Sequence, residues 1–199
     1  GVQTCALPIW IVRYSSNIGA GKIGLELGAT RLREYLERLG LGSRLGLPLA
    51  GENRGMLRPA AKWTQVDLAT ASFGQGVSAN MLQMARAFLT LAHGGVREGL
   101  ALTLDPAPER EEPVRVFDPK VAEMVLSMLR EVVQEDGTGT KARIPGLEVG
   151  GKTGTAQKAG IGGYGDKYVG SFVAFIPAME PRFMIMVSVG EPHPNHYGG

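Results

Sequence analysis

Between residues 118 and 137, apolar side chains recur at intervals of three and four positions, the spacing of one face of an α-helix. Asp118 precedes this stretch as a capping residue, Pro119 occupies the first helical position, and Gly137 ends the pattern. The pattern therefore predicts a helix with one buried face. That face consists of Val121, Met124, Val125, Met128, Leu129, Val132 and Val133.

Two earlier segments also carry helical patterns. Residues 17–39 predict two short helices divided near Gly28, and Gly40 is placed to end the second of them. Another helix is predicted from Ser78, as its N-cap, to His93. Its predicted apolar face consists of Met81, Ala85, Phe88, Leu89 and Ala92.

The pattern changes after the last predicted helix. Short segments rich in β-forming residues lie at 147–157, 167–176 and 182–190, and the turn residues between them predict an antiparallel meander. Helices followed by hairpin-linked strands predict a mixed α/β fold of the α+β kind, with a largely antiparallel sheet and flanking helices.

The remaining segments read mainly as connections. Residues 40–66 and 105–117 are rich in glycine, proline or charged side chains and are predicted to be irregular, whereas 95–104 is a possible strand. Residues 1–9 follow neither period and resemble a translated sequencing-adapter remnant, so we expect them to be non-native and exclude them from the fold.

Composition limits the classes of protein to consider. The 199 residues suit one globular domain, and the single Cys excludes a disulfide framework within the chain. A net charge of +2 gives no reason to expect nucleic acid as a partner. The 29 glycines are about twice the usual share, which indicates many turns or close approaches of the backbone.

Two sequence motifs overlap at Lys152. Residues 146–153 match the phosphate-binding pattern G-x-x-x-x-G-K-[ST], but a P-loop needs a buried strand before it and a helix after it. Neither the preceding residues 142–145 nor the following residues 155–163 have that character, so a P-loop NTPase remains only a remote alternative.

The other motif is K-T-G, formed by Lys152, Thr153 and Gly154 on a predicted strand. It belongs to the serine acyl-transfer set S-x-x-K, S-x-N and K-T-G. A lysine ammonium supplies positive charge, a neighbouring hydroxyl can bind a carboxylate, and glycine lets a substrate backbone approach the strand. The amide of Thr155 can then contribute to an oxyanion hole.

Ser15-Ser16-Asn17 supplies an S-x-N motif, although Ser and Asn at a helix start also serve as ordinary caps. Ser78-Ala79-Asn80 has the same form and is interpreted as a cap only. The order of motifs along residues 10–199 resembles the transpeptidase domain of class B penicillin-binding proteins of the cell-division type. The motifs are YSSNIGAGKI at 14–23, SFGQGVS at 72–78, DGTGT at 136–140, GGKTGTAQ at 150–157, and Glu191-Pro before HYGG at 196–199.

The resemblance implies a penicillin-binding or serine β-lactamase-like fold and a peptidoglycan D,D-transpeptidase. Ser15, Asn17 and Lys152 correspond to the family's catalytic residues, and Thr153, Gly154 and Thr155 to its substrate-binding residues. It implies D-Ala-D-Ala stem peptides and β-lactams as ligands, with no metal or organic cofactor. It further implies a membrane glycosyltransferase and divisome proteins as partners, and a periplasmic location on an N-terminal membrane anchor.

The nucleophilic element of the set is absent, because no Ser in the chain is followed three positions later by Lys. We therefore expect residues 10–199 to be an incomplete transpeptidase domain, without the nucleophile-bearing segment, the anchor and the C-terminal end, and inactive alone. A serine D,D-carboxypeptidase, a β-lactamase or a non-catalytic penicillin-sensing domain of the same fold remain open alternatives.

Overall fold

A computed structural model describes residues 3–103, 111–160 and 163–193 of the chain. It divides into two compact units, one formed by Gly1–Ser16 with Met124–Gly199 and the other by Asn17–Glu123, and each is described by itself. Within the described ranges, no helix combines the length and the apolar character needed to cross a membrane.

Most of the helices precede the strands along the described part of the chain. The helices are α1 (Gln3–Arg13), α2 (Asn17–Leu27), α3 (Ala29–Arg38), α4 (Gln65–Ala71), α5 (Met81–Ala92) and α6 (Pro119–Glu131), with 3-10 turns at Ala60–Lys62 and Thr140–Ala142. The strands are β1 (Val96–Arg97), β2 (Val114–Arg115), β3 (Gly150–Gly160), β4 (Gly163–Ile176) and β5 (Phe183–Gly190).

The predicted antiparallel meander is confirmed in the first unit. Strands β3, β4 and β5 form a sheet in that order, with Lys152 opposite Val173 and Val173 opposite Met186. Val133, Val149 and Ala174 are buried together against one part of this sheet, with Ala142, Phe172 and Ile176 packed around them. This core fixes β3, the strand that carries the K-T-G residues.

Residues 3–13 are helical, although no helical period was assigned to residues 1–9. Helix α1 runs without interruption from Gln3 through Pro8 to Arg13. Pro8 lies in the second turn of this helix, and the helix continues beyond it to Arg13, two residues before Ser15. The predicted non-native origin of residues 1–9 stays a prediction.

Helix α6 begins as predicted, with the Lys120 amide donating to the Asp118 carboxylate at 2.9 Å. It ends at Glu131, before the predicted Gly137. The predicted buried face is partly wrong, because Val121 and Met124 are 40% and 49% exposed. Two overlapping apolar stripes have helical spacing here, and the buried one contains Ala122, Leu126, Leu129, Val132 and Val133.

The second unit confirms the helix pair divided near Gly28. Gly28 has φ +84° between α2 and α3, a backbone conformation that glycine adopts without strain. At the end of α3, the Gly40 amide donates to Glu37 O and the Leu41 amide to Leu36 O. This is the Schellman arrangement with Gly40 at C′, as predicted.

This unit contains one helix that the sequence analysis missed and one helix cap that it predicted wrongly. Helix α4 was not predicted, although Thr64 and Asp67 form a capping box at its start. Helix α5 is capped by Asn80 and not by Ser78, because Asn80 and Gln83 form a reciprocal capping box while Ser78 pairs with Met56 in an isolated bridge.

The buried face of α5 also differs from the predicted apolar one. Gln83, Arg86 and Thr90 are its buried residues, whereas Met81 is 44% exposed. The Gln83 amide donates to Ser43 O at 2.6 Å and Arg54 O at 2.9 Å, and Arg86 pairs with Glu111 at 2.7 Å. Gln83 is buried because it donates to backbone carbonyls of an irregular segment, and Arg86 because it has a carboxylate partner. Apolar periodicity does not predict such polar contacts.

Strands β1 and β2 pair antiparallel, with Val96 opposite Arg115. The possible strand at 95–104 is thus limited to Val96–Arg97, and the predicted connection at 105–117 contains Val114–Arg115. Residues 104–110 lie outside the described part of the chain.

Candidate active site

Ser15 occupies the turn that ends helix α1. The Ser15 amide donates to Val12 O at 3.3 Å and the Ser16 amide to Ile11 O at 2.9 Å, the two bonds of a Schellman motif. Ser15 therefore sits at the C′ position, where glycine is usual, and has φ +52°. A left-handed serine costs about 1–3 kcal/mol, and such strain is concentrated at functional sites.

Lys152 lies on β3 and reaches this turn. Its Nζ donates to Ser15 Oγ at 2.7 Å and to the Thr153 carbonyl oxygen at 2.9 Å. Burial of the ammonium lowers the pKa of Lys152 from 10.5 to about 8. An amine of that pKa beside a hydroxyl can exchange a proton near neutral pH, which suits acid–base chemistry.

The Thr153 hydroxyl is held by a residue that the sequence analysis did not select. Thr153 Oγ1 donates to Thr138 Oγ1 at 2.9 Å. The Thr138 amide in turn donates to Arg13 O at 3.3 Å, so one loop residue connects β3 to the end of α1. The DGTGT motif at 136–140 was the available signal, but nothing in it indicated a contact with Thr153.

Gly154 and Thr155 continue along the same strand. A Cβ on Gly154 would lie 2.5 Å from Ser171 Oγ on the neighbouring strand, so glycine keeps this position open. Thr155 is exposed, and its role as an oxyanion-hole amide stays a prediction. Within the described ranges, β3 pairs only with β4, which leaves its second edge available to an extended peptide.

Asn17 is the first residue of helix α2 and is exposed. It belongs to the other compact unit, so its predicted contact with substrate stays a prediction. The structure thus brings Ser15, Lys152 and Thr153 together in one unit and leaves the third motif residue of Ser15-Ser16-Asn17 untested.

The strand also removes the structural basis for a P-loop. Lys152 and Thr153 lie inside β3, whose residues Gly150–Gly160 are extended, so no helix N-terminus follows the Gly-Lys-Thr sequence. A phosphate cradle of the P-loop kind needs that helix. The competing K-T-G interpretation is the one that the geometry favours.

Comparison with known proteins identifies the family of the chain. A family model described as the penicillin binding protein transpeptidase domain matches residues 10–199. The chain is 37% identical over 191 residues to a probable peptidoglycan D,D-transpeptidase, PenA, of Neisseria gonorrhoeae, covering 95% of this chain and 32% of PenA. It is 35% identical to the peptidoglycan D,D-transpeptidase FtsI of Escherichia coli K12, with the same two coverages.

Solved structures give the same result. The transpeptidase domain of Burkholderia pseudomallei penicillin-binding protein 3 superposes with a TM-score of 0.85 at 38% identity, covering 95% of this chain and 58% of that one. The chain spans about a third of the length of the curated relatives it matches. The match over residues 10–199 shows that the chain belongs to the penicillin-binding protein transpeptidase domain family.

Proposed function

We propose that this chain supplies the S-x-N and K-T-G parts of the active site of a peptidoglycan D,D-transpeptidase. The contact between Lys152 Nζ and Ser15 Oγ, beside Thr153 on an unpaired strand edge, is the observation that carries the proposal. The named relatives are D,D-transpeptidases, which supports the same activity. The nucleophilic serine comes from outside the 199 residues.

The reaction is an acyl transfer in two steps. The nucleophilic hydroxyl attacks the carbonyl carbon of the D-Ala-D-Ala bond, the C–N bond breaks, and D-Ala leaves with a proton on its amine. A neighbouring stem-peptide amine then attacks the resulting ester, loses a proton, and returns the serine hydroxyl. Lys152 and Ser15 form a proton relay for both steps, since a pKa of about 8 allows Lys152 to give and accept the proton.

The strand residues bind and orient the substrate. The Thr153 hydroxyl is suited to the terminal carboxylate of the peptide, or to the carboxylate of a β-lactam, which acylates the same serine. Gly154 carries no side chain that would obstruct a peptide on the strand, and we assign the Thr155 amide to bind the carbonyl oxygen. This assignment needs no metal or organic cofactor.

The test is acylation by a fluorescent penicillin, using the protein expressed with the upstream reading frame that carries S-x-x-K. We expect wild type to be labelled and Thr153→Val to be labelled about tenfold to a hundredfold more slowly, because a hydrogen bond to a charged group is lost. Thr153→Ser keeps the hydroxyl and serves as the matched control. An upstream sequence without S-x-x-K, or unlabelled wild type, would disprove the proposal.

The acceptor decides between related activities. A transpeptidase joins two stem peptides, whereas a carboxypeptidase or β-lactamase passes the acyl group to water. Mass spectrometry of products from a stem-peptide substrate and an added amine separates them, and release of the hydrolysed peptide alone would contradict cross-linking.

The location and partners are also part of the proposal. We place the protein on the periplasmic face of the inner membrane, with a membrane glycosyltransferase and divisome proteins beside it. Fractionation, followed by affinity capture of the full-length protein, tests this placement. Recovery in the cytoplasm would contradict it.

A further inference from the structure

We propose that Arg13 is a positioning residue that holds Ser15 in its left-handed conformation against Lys152. The expected effect of Arg13 on acylation rests on the proposed function, whereas its effect on the position of Ser15 does not. Arg13 lies two positions before Ser15, at the last residue of helix α1. Both its side chain and its main chain contact the 135–138 loop.

The side chain makes two kinds of contact, with aromatic rings and with a backbone carbonyl. The guanidinium carbon lies 5.6 Å from the ring centre of Trp10 and 5.5 Å from that of Tyr14, within cation–π range of both. The two rings are stacked, with centres 5.3 Å apart and planes 9° from parallel. Arg13 Nη2 also donates to the Glu135 carbonyl oxygen.

The main chain makes a second attachment to the same loop. Arg13 O accepts from the Thr138 amide at 3.3 Å and from Thr138 Oγ1 at 3.5 Å. Thr138 Oγ1 is also the acceptor for the Thr153 hydroxyl. Arg13 therefore links the turn that presents Ser15 to the strand residue beside Lys152.

These contacts of Arg13 stabilise the backbone conformation of Ser15. A serine at C′ does not favour the left-handed conformation by itself, so neighbouring contacts must hold it. The contacts of the Arg13 guanidinium hold the end of α1 against the 135–138 loop. They therefore restrict the backbone of the turn that contains Ser15. If the turn relaxes, Ser15 Oγ moves away from Lys152 Nζ and water reaches the ammonium.

The primary test measures the titration of Lys152 by ¹³C NMR of the reductively methylated full-length protein. The resonance is assigned by its loss in Lys152→Arg. We expect a midpoint near 8 in wild type and a rise of about one unit or more in Arg13→Ala, because desolvation of the ammonium is relieved. Arg13→Lys retains a cation and a donor and should stay near the wild-type midpoint.

The controls separate positioning from general destabilisation. Arg143→Ala removes an exposed arginine of the same unit and should leave the Lys152 midpoint unchanged. If Arg13→Ala does not fold, Arg13→Gln keeps a donor for Glu135 O without the cation and should give an intermediate shift. An unchanged midpoint in a folded Arg13→Ala or Arg13→Gln protein overturns the proposal.

Penicillin acylation provides the second readout in the same variants. Arg13→Ala should slow acylation about tenfold or more, since small displacements of a catalytic group are costly, and Arg13→Lys should recover most of the rate. Unlabelled wild type defeats the proposed function but leaves the NMR result to decide on Arg13. Wild-type rates in Arg13→Ala overturn the positioning role while the proposed function stands.

Discussion

The ammonium of Lys152 lies 2.7 Å from the hydroxyl of Ser15, although the two residues are 137 positions apart in the chain. The contact joins a strained turn to the strand of the sheet that carries K-T-G. Both residues are in unfavourable states. Ser15 has a left-handed backbone, and the charge of Lys152 is partly removed from water. Natural proteins keep such costs mainly where activity needs them.

The strain at Ser15 can be measured with a pair of substitutions. Ser15→Gly and Ser15→Ala both remove the hydroxyl, but only glycine adopts φ +52° without a Cβ penalty. We expect the glycine variant to be more stable than the alanine variant by about 1 kcal/mol in urea unfolding. At Ser127, inside helix α6, the same pair should show the opposite order, and an alanine preference at both sites would exclude strain at Ser15.

The lowered pKa of Lys152 predicts a pH dependence of stability. Between pH 8 and 10.5 the unfolded chain keeps the Lys152 proton that the folded chain has lost, so stability from this group rises with pH across that window. Below pH 8 the full cost of burying the charge is present. Lys152→Met should therefore lose this rise.

The measurement is urea unfolding of wild type and Lys152→Met at intervals from pH 7 to 10.5. The difference between the two proteins is the relevant quantity, because only position 152 differs between them. Lys62→Met, at the end of a 3-10 turn, is the matched control. A difference that does not change with pH would show that burial leaves the Lys152 pKa at its usual value.

Two glycines of β3 should differ in their tolerance of alanine. A Cβ on Gly151 would overlap the carbonyl oxygen of Val173 and the ring of Phe172, whereas a Cβ on Gly154 meets only the Ser171 hydroxyl at close range. The Ser171 side chain can rotate and a backbone carbonyl cannot. We expect Gly151→Ala to destabilise the fold by about 1–3 kcal/mol and Gly154→Ala by less than about 1 kcal/mol.

Thermal and urea unfolding of the two variants check this order. Adding Ser171→Ala should restore part of the stability that Gly154→Ala loses, and it should restore none of the stability that Gly151→Ala loses. Equal losses in both single variants, or no relief in the double variant, would contradict the steric account.

Gln83 should be more important for stability than its polar character suggests. Its side chain is 0% exposed, donates to Ser43 O and Arg54 O, and accepts from the Asn80 amide in the capping box. Gln83→Met keeps the size and removes these bonds, leaving carbonyl groups unpaired. The expected loss is about 2 kcal/mol or more in urea unfolding, against little change for Gln134→Met, whose amide makes one bond of 3.5 Å.

The sequence alone determined several of the elements and indicated the chemistry. Periodicity located the helix pair around Gly28, the start of α6 and the meander of β3 to β5, because local spacing and turn residues specify these features. The K-T-G and S-x-N residue types indicated serine acyl transfer, and the context around Lys152 argued against a P-loop.

Only the tertiary structure decided which residues meet and which faces are buried. The buried polar face of α5, with Gln83 and Arg86, depends on carbonyls of a distant irregular segment. Thr138 and Arg13 became functional candidates only when the 135–138 loop was found between α1 and β3. A hydrogen bond between residues more than a hundred positions apart produces no periodic pattern in the sequence. It forms only when tertiary packing brings both partners together out of water.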